Sequence, residues 1–500
     1  MPTLFTALLA KKGAMPAARL SPGQPVPKPA FAANLFSEIA APARPKAPAG
    51  STVLIIGGGF AGLAAANELF HAGYEVTVLE AQPKLGGRVV SVSDFMPGKV
   101  VESGGELIGD NHPAWLSYAA QFGLGLSPVD DGGNAPVFLR GRRLTEKQAA
   151  QLADEMEKVF EKLAALAKSI RCLKPWESDG AEDYDGQSLG SWLCKQRDVS
   201  ELASYAVALQ FATDNGVEAD RQSLLGVLTM IRGGGQGLAY FTETERHRCI
   251  GGNQQLALKL AEPILNRLHL GFAVHEVQKT GNGEMAVTGS EWTRHPEKPL
   301  TFQAKDVILA IPPSVWSRIK FDREFPRGKP QMGRNVKCLM RFQTEFWKRS
   351  RLSPNLTSDR TMELTWQATE GQKGPGQVLV GFSGAGQADD CARWKPEERT
   401  GNYARELARA YRGARENLAD LRLKNWPEDP FVKASYAFPA PGDILRWGPI
   451  FHQGLGRLHF AGEHTAYDFI GYMEGALESG IRVARCLTDR DKLTIPATGG

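Results

Sequence analysis

The stretch from Thr52 to Glu80 restricts the fold more than any other. Thr52-Val53-Leu54-Ile55-Ile56 is an unbroken apolar, β-branched run, the pattern of a parallel strand buried on both faces. Gly57-Gly58-Gly59-Phe60-Ala61-Gly62 follows directly, leads into the helix-forming run Leu63–Leu69, and is succeeded by a second strand, Val76–Leu79, that closes on Glu80. Gly57, Gly59 and Gly62 fill a G-x-G-x-x-G pattern, which serves a tight turn, close backbone approach to a pyrophosphate and close helix packing. Glu80, eighteen residues after Gly62, is placed to accept from a ribose hydroxyl, and an acid there disfavours a 2′-phosphate. Phe60 and Ala61 inside the turn, and Ala81 after the acid, are counted with the dinucleotide-binding residues. At this point FAD and NAD are both open.

Composition narrows the partner rather than the fold. With 500 residues the chain is long enough for two or three domains. The formal charge of +4 misleads, because residues 1–50 carry Lys11, Lys12, Arg19, Lys28, Arg44 and Lys46 against Glu38, a balance of +5 that leaves the remainder at −1. A neutral body argues against nucleic acid as a partner. The six cysteines are scattered singly and the nine histidines show no metal spacing, so neither a disulfide framework nor a metal site is expected. A reducing compartment, the cytoplasm, fits that usage. No apolar run reaches the roughly 18 residues of a membrane span.

Residues 1–50 are expected to form an Ala/Pro-rich arm that packs on a neighbour or floats. Leu4–Ala10 is apolar, but Lys11 and Lys12 follow it, the reverse of a secretory signal. Pro16–Pro48 suits an extended segment, with a short helix conceivable over Phe31–Ile39.

Between His112 and Glu245 the periodicity turns helical. Leu152, Met156, Phe160, Leu163, Leu166 and Ile170 make one apolar stripe, and Gly233-Gly234-Gly235 breaks the pattern as a mobile loop would. Phe272–Val277 and Asp306–Ile311 read as strands, the second stopped by Pro312 and Pro313, and Asn335–Phe342 is a strand interrupted by one lysine, Lys337. Near the C-terminus, Phe460–Gly480 reads as a strand, a turn and the opening of a helix, whose unpaired N–H groups favour an anion.

Four runs together carry a resemblance: Gly86-Gly87-Arg88, Glu102-Ser103-Gly104-Gly105-Glu106, Ile250–Leu256, and Gly462-Glu463 through Gly471-Tyr472-Met473-Glu474-Gly475-Ala476. In consistent order over residues 51 to 488, the chain resembles the flavin-dependent amine oxidase family of monoamine, polyamine and L-amino-acid oxidases. The resemblance implies an α/β fold: a Rossmann-type, glutathione-reductase-like FAD-binding domain (51–110, 246–320 and 429–490) with an inserted α+β substrate-binding domain (111–245 and 321–428), and a tail at 491–500.

It also implies site roles. Gly87, Arg88, Gly104, Gly105, Glu106, Gly462, Glu463, Gly471, Tyr472 and Met473 would contact FAD, and Val274 would meet the adenine through its backbone. Lys337 would hold a water against flavin N5, where a cation favours reduced flavin and superoxide. Tyr472 and Tyr436 would form an aromatic cage, with Phe438 in reserve, and His464 would be structural. The activity implied is hydride transfer from the carbon α to an amine onto flavin N5. The imine then hydrolyses to an aldehyde or 2-oxo acid with ammonia, and O2 reoxidises the flavin to give H2O2.

Departures from the family pattern bear on two points. Ala434 and Ser435 stand where monoamine oxidases carry a flavin-linking cysteine, so FAD is expected to be non-covalent. L-amino-acid oxidases place a carboxylate-binding arginine where this chain has Leu107, which favours an amine without an α-carboxylate, although Arg232, Arg334 or Arg341 leave an amino acid open. A dehydrogenase or desaturase with another acceptor, and a non-catalytic flavoprotein, are the competing classes; a homodimer is left open.

Overall fold

The structure, a computed structural model, describes residues 3–15, 47–129, 134–235 and 237–491. A five-stranded all-parallel sheet runs in the order Leu458–Phe460, Asp306–Leu309, Thr52–Ile56, Glu75–Glu80, Leu268–Leu270. The central strand is buried because helices cover both faces of such a sheet, which is why its residues are apolar without alternation.

The two ends of the chain meet on this sheet. Helix Phe60–His71 packs against helix Met473–Arg490 so closely that a Cβ on Gly480 would lie 2.2 Å from the Ala61 carbonyl oxygen. Ala61, Ala64 and Ala65 are the small residues that permit the approach. Asp306 adds an electrostatic tie. Its carboxylate, 1% exposed as a residue, accepts from both terminal nitrogens of Arg490 at 2.7 and 2.9 Å and bonds His459 at 2.9 Å.

A seven-stranded sheet faces the parallel one, ordered Leu418–Asn425, Asn335–Phe342, Gln377–Gly384, Leu364–Gln367, Thr357–Ser358, Val137–Leu139, Arg142–Arg143. Helices Glu146–Ala167, Glu201–Asn215 and Leu224–Gly233 lie beside it, the first opened by a capping box of Thr145 and Gln148. This is a Rossmann-type dinucleotide-binding domain joined to a mixed α/β substrate domain. A third sheet, His295–Ala304, Met285–Glu291, Phe272–Lys279 and Lys320–Phe321, carries a bulge just after Val274.

Two expectations change. Residues 3–13 are no loose arm: helix Leu4–Lys12 is built into the helical layer, with Leu4, Phe5, Ala7, Leu8 and Leu9 buried. The apolar run excluded as a secretory signal is a core face, and the Phe5 ring stands edge-on to Phe160 at 4.9 Å and to Phe241 at 6.3 Å. The helix suggested over Phe31–Ile39 lies outside the described residues. The glycine run at 233–235 is set by close packing: a Cβ on Gly233 would meet the Asp468 carbonyl at 2.5 Å, and one on Gly234 the Tyr240 Cβ at 2.6 Å.

Candidate functional site

Between the parallel and the seven-stranded sheets lies a cavity of about 480 Å³. The glycine turn forms one wall. Gly57 has φ +114°, and a Cβ there would lie 2.6 Å from the Ala310 carbonyl; Gly62 stands behind the wall, where a Cβ would lie 2.0 Å from the Gly57 carbonyl. Gly59 differs. A Cβ there would find its nearest neighbour, Gly87 Cα, only at 3.9 Å, so any side chain would project into the cavity.

Gly59 is also the N-cap of helix Phe60–His71, and Tyr472 that of helix Met473–Arg490. Neither cap supplies a side-chain hydrogen bond, and both residues line the cavity. Two uncapped helix starts therefore present backbone N–H groups and positive dipole ends to one space, an anion-binding arrangement.

Of the residues named from the sequence as catalytic or cofactor-binding, all but Gly62 line this cavity; the reserve residue Phe438 does not. Gly86-Gly87-Arg88 and Gly104-Gly105 interlock, since the Gly105 N–H donates to the Arg88 carbonyl at 3.1 Å and a Cβ on Gly104 would strike that oxygen. Val274 lies on the far wall with Ala81 and Glu80.

The three glutamates line the cavity and are also tied into the protein by hydrogen bonds of their own. Glu80 accepts from the Gly58 N–H at 2.6 Å and the Gln82 N–H at 2.7 Å, bracing the glycine turn. Glu463 accepts from Arg88 Nη1 at 2.7 Å and from the N–H groups of Gly471, at 2.9 Å, and Ala437. It thereby joins the segments that carry Tyr436 and Tyr472. The same Arg88 nitrogen donates to the Ser435 carbonyl at 2.7 Å.

Glu106 is the counterion of Lys337. Lys337 Nζ lies 2.6 Å from Glu106 Oε2 and donates to the Gly104 carbonyl at 3.0 Å, while Oε1 accepts from Arg248 Nε at 2.7 Å and Trp366 Nε1 at 3.0 Å. Burial alone would raise the Glu106 carboxyl, but Lys337 and Arg248 outweigh it and hold the group down at about 2. The fully buried strand Asn335–Phe342 presents Lys337 directly opposite Phe382, which lines the same cavity.

The two tyrosines come together through Gly471, whose position lies 3.3 Å from the Tyr436 ring when a Cβ is built on it. Tyr436 Oη donates to the Asp214 carbonyl at 2.7 Å, and Tyr472 Oη lies 3.3 Å from Tyr240 Oη. Burial pushes both phenols above their ordinary range, so both are neutral. Phe438, 0% exposed, is core and lines no part of the cavity. His464 is packed edge-on to Trp316 and Phe451, and burial keeps it neutral. Sequence reasoning missed Asn335, Trp366, Phe382, Asp214 and Glu245 on the lining, none of which sits in a recognisable motif. The Asn335–Phe342 strand would have offered only Asn335 by proximity to Lys337.

Open helix starts, a glycine cradle and a cavity that extends to an aromatic end define a dinucleotide-dependent oxidoreductase whose residues fit FAD. Residues 60–488 match the profile of the family described as flavin containing amine oxidoreductase, and the chain belongs to that family. It is a flavin-dependent amine oxidase with FAD as its cofactor. It is 27% identical over 457 residues to a flavin-containing amine oxidase of Danio rerio, covering 87% of this chain and 85% of that one. The flavin-containing amine oxidase A of Equus caballus is also 27% identical, over 87% of this chain and 84% of its own. Among solved structures, a double mutant of putrescine oxidase redesigned in its cofactor binding superposes with a TM-score of 0.79 at 26% identity, covering 88% of this chain and 99% of that one. Cyclohexylamine oxidase from Brevibacterium oxydans shares the fold, with a TM-score of 0.78 at 23% identity over 90% and 100% of the two chains. Among the described residues no helix is long and apolar enough to cross a membrane, and no cluster has the makings of a metal site.

Proposed function

We propose that this enzyme oxidises amines lacking an α-carboxylate and passes the electrons to O2. The observation that carries the reading is the lining itself: Tyr436 and Tyr472 share the cavity with the buried Lys337, and none of Arg232, Arg334 or Arg341 reaches it. Arg334 pairs with Asp389 at 2.8 Å, Arg341 with Asp420 at 3.6 Å, and Arg232 is exposed. The likeness to putrescine oxidase supports the same class.

Bound FAD supplies the two-electron acceptor for the substrate C–N bond and returns those electrons to oxygen. The chain supplies the rest. The glycine turn and the two helix N-termini would hold the pyrophosphate and pyrimidine ends, and Val274 would lie against the adenine. An alkylamine of pKa about 10 must lose its proton before hydride can leave, and Tyr436 with Tyr472 provide an apolar, neutral cage that disfavours the ammonium form. Lys337, fixed by Glu106 and the Gly104 carbonyl, presents a cation for a water to bind and for developing negative charge to face. None of the six cysteines lines the cavity, which supports a FAD held without a covalent bond.

Anaerobic addition of primary amines, diamines and L-amino acids to the holoenzyme tests the reading. Amines should bleach the flavin and release peroxide when air is readmitted; bleaching without peroxide would move the chain to the dehydrogenases, and bleaching by L-amino acids alone would overturn the substrate class. Acid precipitation should leave the pellet colourless and the supernatant yellow.

A further inference from the structure

Behind the aromatic end of the main cavity lies a second, smaller one of about 40 Å³, room for a water- or ammonium-sized group. The two adjoin, because Tyr472, Asp214 and Glu245 line both. The opposite wall of the small chamber is supplied by Thr3, Thr6 and Met15, at and just beyond the ends of the N-terminal helix. That helix lies outside residues 60–488, the span the family profile matches.

Specific contacts hold the helix in place. Thr3 caps it by accepting from the Thr6 N–H at 3.2 Å, Gly13 closes it at φ +69°, and the Phe5 N–H donates to Gln210 Oε1 at 2.9 Å. Lys12 pairs with Asp154, and Lys11 reaches Asn134 at 3.3 Å. Gln210 lines the same chamber as Asp214, so one residue joins the helix to that wall.

We propose that the N-terminal helix is a specificity element of the amine site: Thr3 and Thr6 close the chamber behind Tyr240 and Tyr472 and set how far a substrate can extend past its reacting amine. The inference rests on the amine-oxidase reading of the main cavity. The chamber admits the small polar end of a substrate tail. Its walls carry hydroxyls from Thr3, Thr6 and Tyr240, the amide of Gln210 and the carboxyl of Asp214, whose Oδ1 is buried without a hydrogen-bond partner. Arg246 and Glu245 are the other charged groups on it. Thr6 is the determining position, since a larger side chain there fills a space this small.

The test uses full-length holoenzyme and a series of linear amines of increasing length, with and without a terminal hydroxyl or amine. Thr6→Leu should raise KM for the longest members roughly tenfold or more while leaving kcat for the shortest, the flavin spectrum and the melting temperature unchanged. Thr6→Ala should shift the length cut-off the other way. Leu8→Ala, buried in the same helix but off the chamber, should lower the melting temperature and leave the length profile alone. Identical length profiles in wild type, Thr6→Leu and Thr6→Ala would overturn the inference. If no amine bleaches the wild-type flavin, it is the reading of the main site that has failed.

Discussion

Arg88–Glu463 and Lys337–Glu106 are both cation–carboxylate pairs on the wall of one cavity, at 2.7 and 2.6 Å, yet they are built for different tasks. Glu463 meets one cation and two backbone N–H groups, and so fixes the relative position of the segments at 88, 437 and 471. Glu106 meets two cations and an indole, and fixes the Lys337 ammonium at the cavity wall. The first arrangement controls geometry and the second controls charge, so the two should fail differently when broken.

The sharpest separation is expected from Arg88→Met. It leaves Glu463 buried without its cation and frees the Ser435 carbonyl, a loss of roughly 3 to 5 kcal/mol. FAD retention should fall by two or more orders of magnitude, read by flavin content after gel filtration; full retention would break the comparison. Lys337→Met should keep FAD and slow reoxidation of the reduced enzyme by about 100-fold in stopped-flow mixing with oxygen. An unchanged rate would remove Lys337 from the oxygen reaction.

Glu106 and Glu102 give the next contrast, four residues apart and both buried. The Glu106 carboxyl is held down at about 2, so its contribution to stability is complete above the ordinary value of 4.5 and is lost as pH falls toward 2. Glu102 finds only the Ser91 hydroxyl and the Asn253 N–H, and burial pushes it up to about 7. Its contribution is present below 4.5 and is lost as pH rises through 7. Glu106→Gln should therefore lower the melting temperature at pH 8 and Glu102→Gln should raise it, each by an effect on the order of 3 kcal/mol. Shifts of the same sign would show that the cations do not distinguish the two sites. Tyr472→Ala is the mildest change, expected to lower turnover about tenfold with FAD still bound. Normal turnover would count against the cage.

The contrast also explains what could be read from the sequence. The fold was legible because strand, glycine turn, helix and acid are contiguous from Thr52 to Glu80, and because local periodicity marks Leu152, Met156, Phe160 and Leu163 as a core face. Candidate residues were legible as types placed by motif, and nearly all of them line one cavity. Their partners were not. Arg88 and Glu463 are 375 residues apart, Lys337 and Glu106 231, and a sequence does not state which carboxylate a folded chain brings to which cation. Glu80, Glu106 and Glu463 are marked as candidates by the motifs they stand in, and the protein hydrogen bonds that each also makes are visible only in the fold. The N-terminal helix was hidden for a related reason: nine residues with two terminal lysines do not announce a core that lies some 150 to 240 positions downstream.

That last distance has a consequence for how the molecule is made. Phe5 leaves the ribosome ahead of Phe160 and Phe241 and finds its ring partners only after they have been synthesised, on the order of 10 to 50 seconds later at typical elongation rates. Until then Leu4, Phe5, Leu8 and Leu9 travel as a short exposed greasy stripe. Helix Leu4–Lys12 is thus complete well before the rings it packs against exist, and its docking has to wait for them.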